Sequence, residues 1–213
     1  MSSTKLTARP PFAALRELAR KKPLSDCCEL CGATVAEEHA HLHEPATRKL
    51  VCCCDACAIL LSGGQNPRYR LVPRRVRYWP DFHMTDAQWD ELHIPINLAY
   101  FLRSTQTNRV SAMYPSPAGA MESLLTLESW SELVLQNPPL ERFEPDVEAF
   151  LVNRMGQGRE YYVAPVDECY KLVGLIRAHW RGLSGGAEVW EIIGRFFSDL
   201  KAKSGFVGGG AHA

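Results

Sequence analysis

The sequence predicts an α+β protein in two unequal parts. A small cysteine-rich module with the element order of a treble clef comes first, and a two-layer α+β domain with helices on a small antiparallel sheet follows. Three observations predict this. Seven of the eight cysteines (27, 28, 31, 52, 53, 54 and 57) fall within 31 residues, and only Cys169 lies elsewhere. Two pairs of β-rich runs, each pair joined by turn-forming residues, read as hairpins. Two stretches near the C-terminus carry apolar residues at helical spacing.

The chain has 213 residues, 46% hydrophobic and 23% charged, the make-up of an ordinary globular protein. That is enough for one good core plus a satellite module. No apolar run approaches the ~20 residues needed to span a bilayer, and no signal-peptide h-region opens the sequence. The expectation is a cytoplasmic protein with no membrane insertion. In a reducing compartment, clustered cysteines point to metal binding rather than to disulfides. The net charge is zero, yet residues 1–80 carry 13 Lys/Arg against 7 Asp/Glu and residues 81–213 carry 11 against 17. Opposite signs on the two halves imply attraction between them, or a basic face on the first.

Taken in order, residues 1–25 read as a basic N-terminal arm with an amphipathic stretch (Phe12, Leu15, Leu18, Ala19), residues 26–64 as the metal module, and residues 65–80 as an Arg-rich connector. The α+β domain occupies residues 81–203. It starts with a capping box at Thr85-Asp86-Ala87-Gln88, opening a helix with Trp89 and Leu92. Residues 98–103 and 109–114 form the first predicted hairpin, around Thr107-Asn108. Residues 127–135 read as helix, and residues 147–154 and 160–164 flank Gly156-Gln157-Gly158 as the second hairpin. One closing helix aligns Val166, Cys169, Val173, Ile176 and Trp180, and the other aligns Val189, Ile192, Ile193, Phe196 and Leu200. The Gly-rich residues 204–213 read as a disordered tail.

Within the module, Cys28-Glu29-Leu30-Cys31-Gly32 has the form of a zinc knuckle, its glycine suited to the positive φ of the turn. His39-Ala40-His41-Leu42-His43 alternates, Pro45-Ala46-Thr47 turns, and Lys49 to Cys52 returns as a second strand. Cys54-Asp55-Ala56-Cys57 then opens a helix that Gly63-Gly64 stops. Two cysteine pairs of CxxC spacing with 22 residues between them predict one metal ion held by Cys28, Cys31, Cys54 and Cys57. Four thiolates favour Zn²⁺, and the helix N-terminus favours them further. Iron in a rubredoxin-like site is the alternative, although the second pair is followed by an apolar helix instead of a second knuckle. Cys27 and Cys53 are each one residue out of CxxC register. His39, His41 and His43 share one strand face, which is either a solvated polar face or part of a second metal site with Cys52 or Cys53. His41-Leu42-His43-Glu44-Pro45 between two CxxC pairs also resembles HNH nucleases, but the Asn and final His of that chemistry are missing around Cys57.

Outside the module, Arg68, Arg70, Arg74, Arg75 and Arg77, interleaved with Tyr69, Tyr78 and Trp79, have the composition of a nucleic-acid patch. Ion pairs with the acidic second half account for them equally well. Residues 115–119 and 180–186 read as turns, with ligand loops as the sharper alternative. Cys169 belongs to an apolar helical face, and His83, His93 and His179 have no evident partners. No nucleophile–base–orienter set is legible.

The motifs at residues 28–32, 69–73, 114–119, 144–149 and 179–186 also resemble an uncharacterised bacterial family whose genes often sit beside those of actinobacterial-type NiFe uptake hydrogenases. The resemblance covers roughly residues 25–202. It implies a hydrogenase-associated accessory protein and supplies no catalytic residues. The family's metal positions fall on Cys28, Cys31, Cys52, Cys54 and Cys57, so that Cys27 and Cys53 are additions here. The expected function is therefore a non-catalytic, metal-binding accessory factor whose protein partner is a hydrogenase subunit or maturation factor. The alternatives are a nucleic-acid-binding regulator and a rubredoxin-like electron carrier.

Overall fold

A computed structural model describes residues 27–64, 68–123, 127–156, 158–182 and 184–207. The expected N-terminal arm, and the tail beyond residue 207, lie outside the described residues.

The module is a three-stranded antiparallel sheet and a short helix. Strands β1 (Ala40–Glu44) and β2 (Lys49–Cys53) form the expected hairpin, with His41 opposite Cys52 and His43 opposite Leu50. Helix α1 (Asp55–Leu61) follows directly. Alternation along the strands sends Leu42, Val51 and Cys53 inward, where they meet Cys28, Val35 and Ala58. The third strand, β3 (Arg70–Leu71), pairs with β1 and comes from the segment expected as connector. That segment also supplies β4 (Arg77–Tyr78) to the second sheet, so both sheets are anchored within eight residues of each other.

The second sheet has seven strands in the order β10-β4-β9-β8-β5-β6-β7. Its centre is the two predicted hairpins, β5 (Leu98–Arg103) with β6 (Val110–Ser116) and β8 (Glu148–Asn153) with β9 (Glu160–Pro165). β8 also pairs antiparallel with β5. Strand β7 (Gly119–Ser123) extends one edge through the turn at residues 117–118. Residues expected in the disordered tail form β10 (Gly205–Phe206), parallel to β4.

Helix α2 (Asp86–Glu91) starts at the predicted capping box: the Gln88 N–H donates to Thr85 Oγ1 (3.2 Å) and the Thr85 N–H donates to Gln88 Oε1 (3.0 Å). Helix α3 (Leu127–Gln136) and a 3-10 turn (Pro138–Arg142) follow β7. Helices α4 (Val166–His179) and α5 (Gly186–Ala202) close the domain. Their apolar faces, Cys169, Leu172 and Ile176 with Val189, Ile193 and Leu200, pack on Tyr100, Leu151 and Tyr162 of the sheet. The expected two-layer arrangement accounts for this face alone. On the other face Ala99, Phe101, Phe150, Tyr161 and Val163 meet Trp79, Phe82, Trp89, Leu133 and Phe143. Both faces are covered, so residues 98–102 of β5, 149–152 of β8 and 161–164 of β9 are apolar in succession instead of alternating.

Four of the five connector arginines bind carboxylates and tie the parts together electrostatically. Arg68 binds Glu44 (2.5 Å), Arg70 binds Glu144 (3.0 Å) and Asp146 (3.2 Å), and Arg75 and Arg77 both bind Glu148 (3.2 and 2.7 Å). Glu148 is fully buried, and its carboxylate also accepts the Glu144 N–H. Three donors converging on one buried carboxylate are what keeps such a charge tolerable.

Candidate metal centre

The knuckle forms because the chain turns back on itself between Cys28 and Ala33. The Gly32 N–H donates to Cys28 O (2.9 Å), and the Cys28 N–H donates to Ala33 O (2.7 Å). Gly32 adopts φ 76°, the left-handed conformation that glycine enters without a Cβ clash. The Glu29 N–H donates to Cys52 O (2.9 Å), hooking the knuckle to β2, while Glu29 Oε1 accepts the Cys52 N–H (2.8 Å). Cys54 is the N-cap of α1 and Cys57 lies in its first turn, so both sulfurs sit at the positive end of the helix.

These elements bring Cys28, Cys31, Cys54 and Cys57 together, with all four sulfurs within 4.8 Å of one another. Cys31 Sγ lies 3.7 Å from Cys54 Sγ. A tetrahedral ion with bonds of about 2.3 Å sets its thiolates about 3.8 Å apart, so the spacing already fits such an ion. The cluster can hold a metal ion. The thiols are electrostatically unequal. Burial works against ionising Cys28, yet the backbone N–H groups of Cys54, Cys31 and Leu30 prevail and bring its pKa down to about 6. The hydrogen bond with Cys31, followed by burial, pushes Cys57 up to about 12. Of Cys28 and Cys57, Cys28 is thus the more readily ionised, and a bound cation would favour the thiolate form of its ligands.

The other cysteines separate cleanly. Cys53 is fully buried and its thiol donates to Ala40 O (3.3 Å), with burial pushing its pKa up to about 11. Cys27 pairs in a bridge with Thr34. Cys169 is in the domain core. Cys52 points to the opposite face of β2 from Cys53 and lies with His39 and His41 in a second group of ligand atoms within 4.8 Å of one another. The three strand histidines share a face as predicted, but His43 is buried against Tyr170, outside that group.

In the domain, the ring Nδ1 atoms of His83, His93 and His179 face the carbonyls of Asp81, Glu91 and Leu175. The two segments weighed as ligand loops meet: Tyr114, Pro115 and Pro117 line an apolar cavity of about 660 Å³ with Trp180 and Trp190. The sequence carried no signal that they were adjacent, since over sixty residues separate them. No helix among the described residues is long and apolar enough to cross a membrane.

No curated protein and no solved structure matches this chain. One family does, a family of unknown function designated DUF5947, over residues 27–204, and the chain belongs to that family.

Proposed function

We propose that this chain is a non-catalytic accessory factor that binds zinc at Cys28, Cys31, Cys54 and Cys57 and acts through protein–protein contacts in NiFe hydrogenase assembly or function. One observation supports the protein-contact part of the reading, and the hydrogenase assignment rests on the sequence resemblance. The helix that supplies two of the four cysteines also exposes Ile59 and Leu60 at 75% and 77%. An ion bound there fixes the position of α1, and α1 presents apolar side chains that have no cover within the described chain. A contiguous exposed apolar surface on a fixed element is what a protein partner takes up. Zinc is preferred to iron because the second cysteine pair belongs to a helix start, as in closed structural zinc sites. Four of the five connector arginines are engaged by carboxylates, which leaves little of the basic patch that a nucleic-acid regulator would need.

The test is affinity purification of the tagged chain from its native host under hydrogenase-inducing conditions, beside an Ile59→Ser/Leu60→Ser variant. Recovery of a hydrogenase subunit or maturation factor with the wild type and not with the variant is expected. Recovery of neither, together with normal hydrogenase activity in a deletion strain, refutes the reading. Metal analysis and a visible spectrum of protein purified without added zinc decide the ion, since zinc leaves a four-thiolate site colourless and iron does not.

A further inference from the structure

We propose that His39, His41 and Cys52 form a second metal site, distinct from the four-cysteine centre, for a divalent ion of the zinc class with one coordination position left open.

The geometry begins with the hairpin register. His41 and Cys52 are directly opposite on β1 and β2, and His39 is two residues before His41, so all three side chains leave the same face. Their ligand atoms lie within 4.8 Å of one another, and the two imidazoles are edge to face with centroids 4.8 Å apart. A single ion with bonds of about 2.0–2.3 Å needs separations of about 3.3–3.6 Å, which small side-chain rotations supply.

The hydrogen bonds fix the tautomers. His39 Nδ1 lies 2.8 Å from Ala36 O, and a carbonyl only accepts, so Nδ1 carries the proton. Its Nε2 is then a bare lone pair, and that atom is buried without a hydrogen-bond partner. An imidazole nitrogen left in this way costs free energy unless something occupies it, and a cation is the natural occupant. His41 Nδ1 lies 2.8 Å from Asp167 Oδ2, which holds it in the same tautomer and likewise directs Nε2 toward ligation. Asp167 is itself oriented, because its Oδ1 accepts the Glu168 N–H (2.8 Å). A carboxylate behind a histidine ligand is the usual outer support of a metal-bound imidazole.

Two imidazoles and one thiolate suit the softer divalent ions, zinc foremost, and three protein ligands leave a fourth position for water or an incoming group. Asp167 stands in the first turn of α4, so the site spans the seam between module and domain. An ion bound there couples the two parts.

The test is a zinc titration of chelator-treated full-length protein, with equivalents counted by native mass spectrometry and Co²⁺ used in parallel to report ligand type by visible absorption. Two equivalents are expected in the wild type. In a His39→Gln/His41→Gln variant the first equivalent persists and the second weakens at least 100-fold. Asp167→Asn keeps both equivalents but weakens the second about 10–100-fold. The second Co²⁺ should give a weaker thiolate charge-transfer band than the first, consistent with one sulfur instead of four, and Cys52→Ser should abolish it. A wild-type protein that takes only one equivalent overturns the proposal. So does a second equivalent that survives in the double-histidine variant.

Discussion

Cys57→Ser isolates what the four-cysteine centre contributes to folding. Cys57 lies at the edge of the module's core and is only partly buried, so exchanging sulfur for oxygen removes little packing. The remaining core is small. Its large aliphatic side chains among the buried residues are Val35, Leu42 and Val51, and burying them contributes about 5–9 kcal/mol in all. A structural zinc site contributes about 10–16 kcal/mol of apparent binding free energy at neutral pH, more than that entire apolar core. If the cluster holds zinc as proposed, the ion would decide whether residues 27–64 fold. In the Cys57→Ser protein we expect the tightly bound ion to be lost and limited proteolysis to cut within residues 27–64. The seven-stranded sheet has its own two cores and should still unfold in one cooperative transition. Mass spectrometry of the fragments, with metal analysis of the same samples, reads both outcomes. Full metal occupancy and protease resistance in Cys57→Ser would refute the reasoning.

Four further outcomes follow from the geometry. Cys53→Ser should keep full metal occupancy and cost about 1 kcal/mol in a denaturant titration, because the hydroxyl inherits the bond to Ala40 O but is buried; metal loss there would move the second cysteine pair by one residue. Glu148→Gln should lower stability by about 3 kcal/mol, toward the low end for breaking a buried ion pair, because Arg75 and Arg77 are partly exposed and can be rehydrated; a change under 1 kcal/mol in urea unfolding would contradict it. Gly185→Ala should cost about 2–4 kcal/mol, since φ is 87° and a Cβ would stand 2.8 Å from Val189 Cγ1, and tryptophan fluorescence should report a disturbed Trp180–Trp190 contact. The Thr47 hydroxyl and Arg68 hold the Glu44 carboxyl below its ordinary value, so its stabilising contribution is present above about pH 4.5 and is lost as pH falls through the lower folded value. A carboxyl NMR titration should place its midpoint below 4.5, and Arg68→Ala should raise it.

Local signals carried much of this protein. The CxxC spacing, the alternating HAHLH strand and the glycine after Cys31 specify knuckle, hairpin and helix start, because each depends only on residues within a few positions of one another. The same holds for the capping box at Thr85 and for the two C-terminal amphipathic helices. The sequence also held one signal that a two-layer reading passes over. Residues 98–102 and 149–152 are apolar at consecutive positions, which only a sheet covered on both faces requires.

Tertiary structure alone decided the rest, because those features join residues that share no local pattern. Whether Arg68 to Arg77 form a basic patch depends on carboxylates about seventy positions away as well as on nearby Glu44, and folding turns that segment into β3, β4 and a set of ion pairs. Cys52 and Cys53 are adjacent and chemically identical in sequence, yet the pleat sends Cys53 into the module core and Cys52 toward His41. His41 meets Asp167 only because the module docks on the first turn of α4, 126 residues further along. Periodicity fixes which face a side chain takes, but long-range packing fixes what that face meets.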